Sequence, residues 1–364
     1  MCTEMTSAPP LPSTPPAFRV LVLKTAALGD VLRTTSILPG LAARGEAEGR
    51  KLDLTWLTAE GAEPLLAGHP NINSVVGIAL EDKQAVERVG EALSKVAWDQ
   101  ILSFDDEALL CELATTIDGG RGAISGAYLT REGLRAYTAD VAPWFDMGLI
   151  SIHGKERADE LKTLNTRSHP ELFASMVGVE LGEPRLELSE EVLTRAQERL
   201  AGLTGPLIGL NTGAGGRWTS KSLPEDRVLG LAKHVDDALE VRPTFVLLGG
   251  PEERERHARL LMGLRAEVQV FDGTTENSLL EFAALIAGID LLVTSDSLAM
   301  HMAIARKTPV VAFFAPTSAA EIELFGRGEK VQSTAADYCS YKRDADRSSL
   351  TVERLGAAVR QCLR

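Results

Sequence analysis

The sequence predicts an α/β protein made of two doubly wound, Rossmann-like domains that face each other across a cleft. Three observations predict it. The strand candidates are apolar throughout rather than alternating, which marks strands covered on both faces. Helical patterns separate most of them, as the crossovers of parallel sheets require. The chain has 364 residues, more than one ordinary core needs and enough for two.

Val20–Leu23 opens the first set of strands, followed by Leu52–Leu57, Asn73–Ile78 and Gln100–Ser103. Helical stretches at Leu32–Ala43 and Glu81–Val96 lie among them. After a less regular middle come Leu207–Leu210, Thr244–Leu248, Val268–Phe271, Leu291–Thr294 and Val310–Phe314. Their crossovers are Glu190–Ala201, Leu223–Ala238, Glu252–Leu264, Leu279–Ile286 and Ala299–Ala305. The break between the sets falls at "GVELGEPRLELSEE", Gly178 to Glu191. Residues 18–180 are therefore expected to form the first domain and 181–345 the second. Residues 346–364 are expected to form a C-terminal helix packing back on the first. Residues 1–17, with "APPLPSTPP", lack the basic start and apolar centre of a signal peptide and read as a disordered tail.

Composition narrows the function. A formal charge of −13 argues against nucleic acid as a partner, which calls for a basic face. Cys2, Cys111, Cys339 and Cys362 form no CxxC pair, so neither a zinc site nor a disulfide framework is indicated and a reducing compartment fits. No apolar run approaches the roughly 18 residues of a membrane span.

The chemistry-bearing motifs stand at strand ends, where open α/β sheets bind ligands. In "FRVLVLKTAALGDVLRTT" a buried strand passes through a short loop to Asp30, immediately before a helical pattern starting at Val31. An acid there is a natural cap or a base at the cleft floor. "IGLNTGAGGRWTSKSLPEDR" places Thr212, Gly213, Gly215, Gly216 and Lys221 between a strand and a helix. Glycines admit a ligand to the backbone and a helix start favours anions. It is no Walker loop, since GK[ST] is missing, and a solvated loop is the plainer alternative. "LLGGPEE" sets Glu252 and Glu253 in a first turn, where acids complement the helix dipole. "LLVTSDSLAMHMAIA" has Asp296 and Ser297 at a cap and His301 one turn further on.

Taken together, "VLVLKTAALGDVLRTT", "IGLNTGAGGRWTSKSLP", "LLGGPEE", "LLEFAALIAGIDLLVTSDSLAMHMA" and "PVVAFFAPTS" resemble the ordered blocks of the lipopolysaccharide heptosyltransferases, glycosyltransferase family nine. The resemblance implies a GT-B architecture. It also implies inverting transfer of a heptose from ADP-heptose to an inner-core sugar of lipopolysaccharide, with no cofactor and no metal. Asp30 matches the catalytic base, and Lys24 a lysine near acidic groups of the acceptor. Thr212, Lys221, Glu253, Asp296, Ser297, Leu298 and His301 match donor-binding positions. A lipid-linked acceptor places the enzyme in the cytoplasm, at the inner face of the membrane, and Trp144, Phe145 and Met147 in "APWFDMGL" are the expected contact.

The chain departs from the family pattern where Leu298 and Ala299 replace Gly and Pro, and where Ala26 and Ala27 replace hydroxyl side chains. The stretch from Gly119 to Glu180 resembles the family only loosely. Two alternatives stay open on these departures: a sugar-nucleotide-binding protein with weakened catalysis, or a transferase using another nucleotide sugar.

Overall fold

The computed structural model describes residues 16–213 and 219–364. The first half of the chain runs β1 (Ala17–Leu23), α1 (Leu28–Thr34), α2 (Leu38–Ala47), β2 (Lys51–Ala59), β3 (Ser74–Ile78), α3 (Lys83–Ser94) and β4 (Gln100–Ser103). It continues through α4 (Ala108–Asp118), β5 (Ile124–Leu129), β6 (Arg135–Tyr137), α5 (Ala142–Phe145), α6 (Lys155–Leu164) and α7 (His169–Val177). The second half runs α8 (Glu190–Leu200), β7 (Leu207–Asn211), α9 (Glu225–Ala238), β8 (Thr244–Leu247), α10 (Arg254–Glu267) and β9 (Val270–Asp272). It ends with α11 (Leu279–Ala287), β10 (Leu291–Ser295), α12 (Leu298–Arg306), β11 (Val310–Phe314), β12 (Gly328–Gln332) and α13 (Val352–Cys362).

Each half forms a six-stranded sheet, ordered β3-β2-β1-β4-β5-β6 and β12-β11-β10-β7-β8-β9. All pairings are parallel except β5 with β6. In each sheet the chain starts near the centre, winds to one side and then returns to the other. That order leaves a crevice beside β1 and β4 in one half and beside β7 and β10 in the other, where the winding reverses. Val20 to Leu23 are fully buried because helices cover both faces, which is why this strand does not alternate.

The sheets are covered by four apolar clusters, and one of them joins the halves. It packs Leu32 of α1 with Ala299, Met300 and Ala303 of α12, and with Leu28 and Leu298 at its edge. Fully burying a leucine is worth about 1.5–3 kcal/mol, so this shared cluster holds the two sheets face to face. The crossing is close. A Cβ added at Gly29 would lie 2.5 Å from Cδ2 of His301. Glycine in the "GD" pair thus sets the spacing between the two helices.

Several expectations are revised. The helical run Leu32–Ala43 is two helices, because Pro39 starts a new one at α2 after a 3-10 turn over Thr35–Ile37. Since α1 begins at Leu28, Asp30 lies within its first turn rather than ahead of it. Three strands went unread: β5 and β6 in the irregular middle, and β12. The C-terminal helix does not return to the first half. Leu355, Ala358 and Val359 of α13 are buried against Val228 and Leu231 of α9, since its single apolar face fits the groove beside that helix. The expected membrane contact is also overturned: Phe145 and Met147 are buried in the first core, with Trp144 packed against it. Most of the expected tail, residues 1–15, lies outside the described residues, and Ala17 already belongs to β1.

The Gly29–His301 contact makes a direct prediction. Gly29→Ala should destabilise the protein by about 1–3 kcal/mol, the usual cost of overpacking. In a His301→Ala background most of that cost should disappear, giving a coupling free energy between the two sites. Denaturant unfolding of the four proteins measures it; equal costs in both backgrounds would show that the helices do not meet there.

Candidate active site

The chain leaving the carboxyl end of β1 lays Lys24, Asp30 and Arg33 along one wall of the cleft. They line a cavity of about 400 Å³ together with Asp105, Trp144 and Tyr341. Asp30 is about one-third exposed, its side chain at 34%. Its carboxylate accepts from the Ala27 N–H at 3.3 Å and pairs with the Arg33 guanidinium at 2.8 Å. Burial pushes this carboxyl up, but Arg33, Lys24 and His301 outweigh burial and hold it below the ordinary aspartate value. It is therefore ionised at neutral pH, as a proton acceptor must be.

Arg33 is half-buried and also lies 4.0 Å from Glu321 of the second half, with its guanidinium 5.5 Å from the Trp144 ring centre. Burial pushes the Glu321 carboxyl up, and Arg33 only partly offsets it. Glu321 accepts from the Tyr341 hydroxyl at 2.7 Å, and its main-chain carbonyl accepts from the His169 N–H at 2.8 Å. Lys24 reaches the cavity already engaged. Its ammonium is paired with Asp105, which also accepts from the Thr25 amide at 2.5 Å and hydroxyl at 2.7 Å. Burial works against the Lys24 charge, but Asp105 and Asp30 outweigh it and hold the ammonium above its ordinary pKa.

A second cavity, about 720 Å³, opens at the strand ends of the other sheet. That volume is in the range of small-molecule sites and suits a nucleotide. Lys221, Glu253, Asp296, Ser297 and Leu298 all line it, with Phe282 as an apolar wall. Lys221 donates at 2.9 Å both to the Asp296 carboxylate and to the Asp296 main-chain carbonyl. Burial pushes the Asp296 carboxyl up, but Lys221 and then His301 dominate and bring it down to about 2. Asp296 thereby fixes the lysine at the mouth of α12, whose first residues, Leu298 and Ala299, line the cavity. Glu253 accepts from the Gly250 N–H at 3.2 Å. A Cβ at Gly213 would strike its carboxylate, so glycine is required for that approach. Leu298 is the first residue of α12 and its backbone is not left-handed. Its side chain packs against the apolar cluster that joins the halves, leaving its N–H at the helix start.

Two expected donor residues do not line this cavity. Thr212 is buried, and its hydroxyl accepts from Arg256 at 3.1 Å. His301 lies beneath the cleft, its Nε2 3.8 Å from Asp296. Burial and then Arg33 bring its pKa down to about 4, so it is neutral at pH 7. Sequence reasoning missed Arg33, Asp105, Glu321 and Tyr341. Arg33 was within reach, three residues after Asp30 on one helix face; Glu321 and Tyr341 come together only through the fold. Gly215 and Gly216 lie outside the described residues. Among the described residues no cluster of three His, Cys, Asp or Glu side chains is placed to hold a metal ion, and no helix is long and apolar enough to cross a membrane.

Residues 148–351, more than half of the chain, match the family model described as glycosyltransferase family 9 (heptosyltransferase). The chain belongs to glycosyltransferase family 9. Lipopolysaccharide heptosyltransferase 1 of Pseudomonas aeruginosa is 25% identical over 324 residues, covering 85% of this chain and 82% of that protein. The structure resembles that of the glycosyl transferase family 9 protein of Veillonella parvula, with a TM-score of 0.74, 20% identity and coverage of 95% and 97%. It also resembles Escherichia coli ADP-heptose lps heptosyltransferase II, with a TM-score of 0.64, 20% identity and coverage of 95% and 98%. The architecture of this glycosyltransferase is accordingly GT-B.

The Lys221–Asp296 pair sets a pH dependence for the glycosyltransferase. The folded-state pKa of Asp296 is depressed, so the pair stabilises the protein fully above the unfolded carboxyl value of about 3.9. The contribution is lost as pH falls through that value toward about 2. Lys221→Met should therefore cost about 1–3 kcal/mol at pH 6, where it strands a half-buried acceptor. The cost should shrink progressively below pH 4. Urea titrations across pH 3–6 check it, and a pH-independent difference would separate Asp296 from the effect.

Proposed function

We propose that this glycosyltransferase moves a heptose from ADP-heptose to an inner-core sugar of lipopolysaccharide with inversion at the anomeric carbon, Asp30 acting as general base. One observation supports it above the rest: an ionised carboxylate on the floor of one cavity lies across the cleft from a helix start and a lysine that line another. The relatives named as ADP-heptose or lipopolysaccharide heptosyltransferases supply the choice of donor and acceptor.

In this reading the nucleotide occupies the larger cavity, with its diphosphate at the amides of Ser297, Leu298 and Ala299. Fixed donors there stabilise the charge that grows as the glycosidic bond breaks, and Lys221 adds a cation. Glu253 takes hydroxyls of the nucleotide. The acceptor hydroxyl attacks the anomeric carbon from the face opposite ADP, and its proton passes to Asp30 as the new C–O bond forms. Because Arg33 holds the carboxylate low, proton transfer comes late, once the attacking oxygen has become acidic. His301, neutral and buried, packs against α1 at Gly29 and keeps Asp30 at its distance from Asp296; Thr212 supports the donor loop from behind through Arg256.

The enzyme acts in the cytoplasm and meets its lipid-linked acceptor at the membrane surface. Leu149, which lines the first cavity, and Ile152, three residues further on, are 85% and 77% exposed and replace Trp144, Phe145 and Met147 as the contact. Leu149→Ser with Ile152→Ser should reduce sedimentation with anionic liposomes; unchanged sedimentation would remove the patch from the proposal.

Asp30→Asn should lower the transfer rate by about 10²–10⁴-fold, the range for a lost general base, while ADP affinity measured by calorimetry stays within about twofold. In the wild type the rate should fall only below the ordinary carboxylate range, because Asp30 titrates low. Wild-type turnover in the Asn variant would exclude Asp30 as the base. Lys221→Met, by contrast, should weaken ADP binding.

A further inference from the structure

We infer that the acceptor group entering the Asp30 cavity is a neutral, hydroxyl-rich sugar, one that carries no carboxylate or phosphate beside the attacking hydroxyl. The inference rests on the reading of this cavity as the acceptor site. It deepens that reading by setting the charge of the substrate.

The charges lining the cavity carry the argument. Among the described residues five carboxylates line it, Asp30, Asp105, Asp106, Glu107 and Glu321, against three cations, Lys24, Arg33 and Lys162. The excess is two negative charges, and it stays negative even with Glu321 protonated. The cations are also engaged. Lys24 is paired with Asp105 beneath the floor. Arg33 is shared between Asp30 at 2.8 Å and Glu321 at 4.0 Å. Lys162 sits 4.4 Å over the Tyr341 ring. At the mouth Glu107 is exposed and Asp106 half-buried. The nearby Arg135 donates to the main-chain carbonyl of Asp106, at 2.8 Å.

Lys162 apart, whose single charge the negative excess already outweighs, an anionic acceptor would have to draw Lys24 from Asp105 or Arg33 from Asp30. Either exchange strands a carboxylate, buried at Asp105 and half-buried at Asp30, and breaking such a pair costs more than the pair is worth, the more so the deeper it lies. A neutral sugar needs no such exchange. Its hydroxyls donate to carboxylates already held in place, and its C–H faces pack on the aromatic surface of Trp144 and Tyr341. Lys24, matched by resemblance to a residue near acidic acceptor groups, serves here to fix Asp105 and to support the Asp30 charge.

The test is a saturation-transfer NMR titration of the full chain with ADP present. The ligands are a methyl heptopyranoside, the same glycoside carrying a phosphate monoester, and the corresponding uronic acid. The neutral glycoside should bind at least about tenfold more tightly than either acidic one at low salt. The gap should narrow toward 0.5 M salt as the charges are screened. An Asp106→Asn, Glu107→Gln double variant, checked for folding by ADP titration, should also narrow it. Acidic glycosides binding as tightly as the neutral one overturn the inference. So does a gap that neither salt nor the double variant changes, or the failure of all three glycosides to bind protein that still takes ADP. A preference for the neutral glycoside with no Asp30-dependent transfer from ADP-heptose would instead tell against the transferase reading and leave the cavity's charge preference standing.

Discussion

Everything in the cleft depends on how near α1 comes to α12. Gly29 supplies the missing side chain that lets the His301 ring lie against the helix backbone. Apolar contacts between Leu32 and the methionines of α12 then hold the crossing. Parallel sheets deliver their ligand loops to one edge, but a two-substrate reaction needs two such edges facing each other at a fixed gap. Helix crossing distances depend on the side chains at the contact. A glycine at that point brings the acid of one half to the cation-bearing loop of the other, and a larger residue would hold them apart.

The charged residues in the gap form a connected set rather than isolated sites. Lys24 answers Asp105, Arg33 answers both Asp30 and Glu321, and Lys221 answers Asp296. Each pair offsets a desolvation cost that neither partner could bear alone. The same arrangement explains why Asp30 stays ionised although burial opposes it, and why His301 is neutral in the midst of it. A cleft wired in this way is preorganised, since few side chains must move when charge develops.

The sequence made the buried parallel strands legible because short uninterrupted apolar runs have few other uses in a globular chain. It made Asp30, Lys221 and Asp296 legible because strand ends are where such folds bind ligands. Boundaries were harder. The α1–α2 break turns on Pro39, which looks harmless within an amphipathic pattern. Strands β5, β6 and β12 are short or partly exposed, so their periodicity is weak. The roles of Lys24 and Glu321 could not be read at all. One depends on a partner 81 residues away, the other on a loop from the opposite half, and neither separation leaves a local signal.

The placement of α13 on α9 has a topological consequence. Among the described residues the chain passes from one half to the other through 178–189 and does not come back. With no returning strap, the halves are two modules on one thread. Either could be exchanged for its counterpart from a relative by cutting at a single place, without rethreading a fold. For such a graft to dock, the incoming partner would need the small-residue notch at Gly29 or the histidine that fills it, together with the apolar face that meets it across the crossing, so the two cavity walls can be inherited separately.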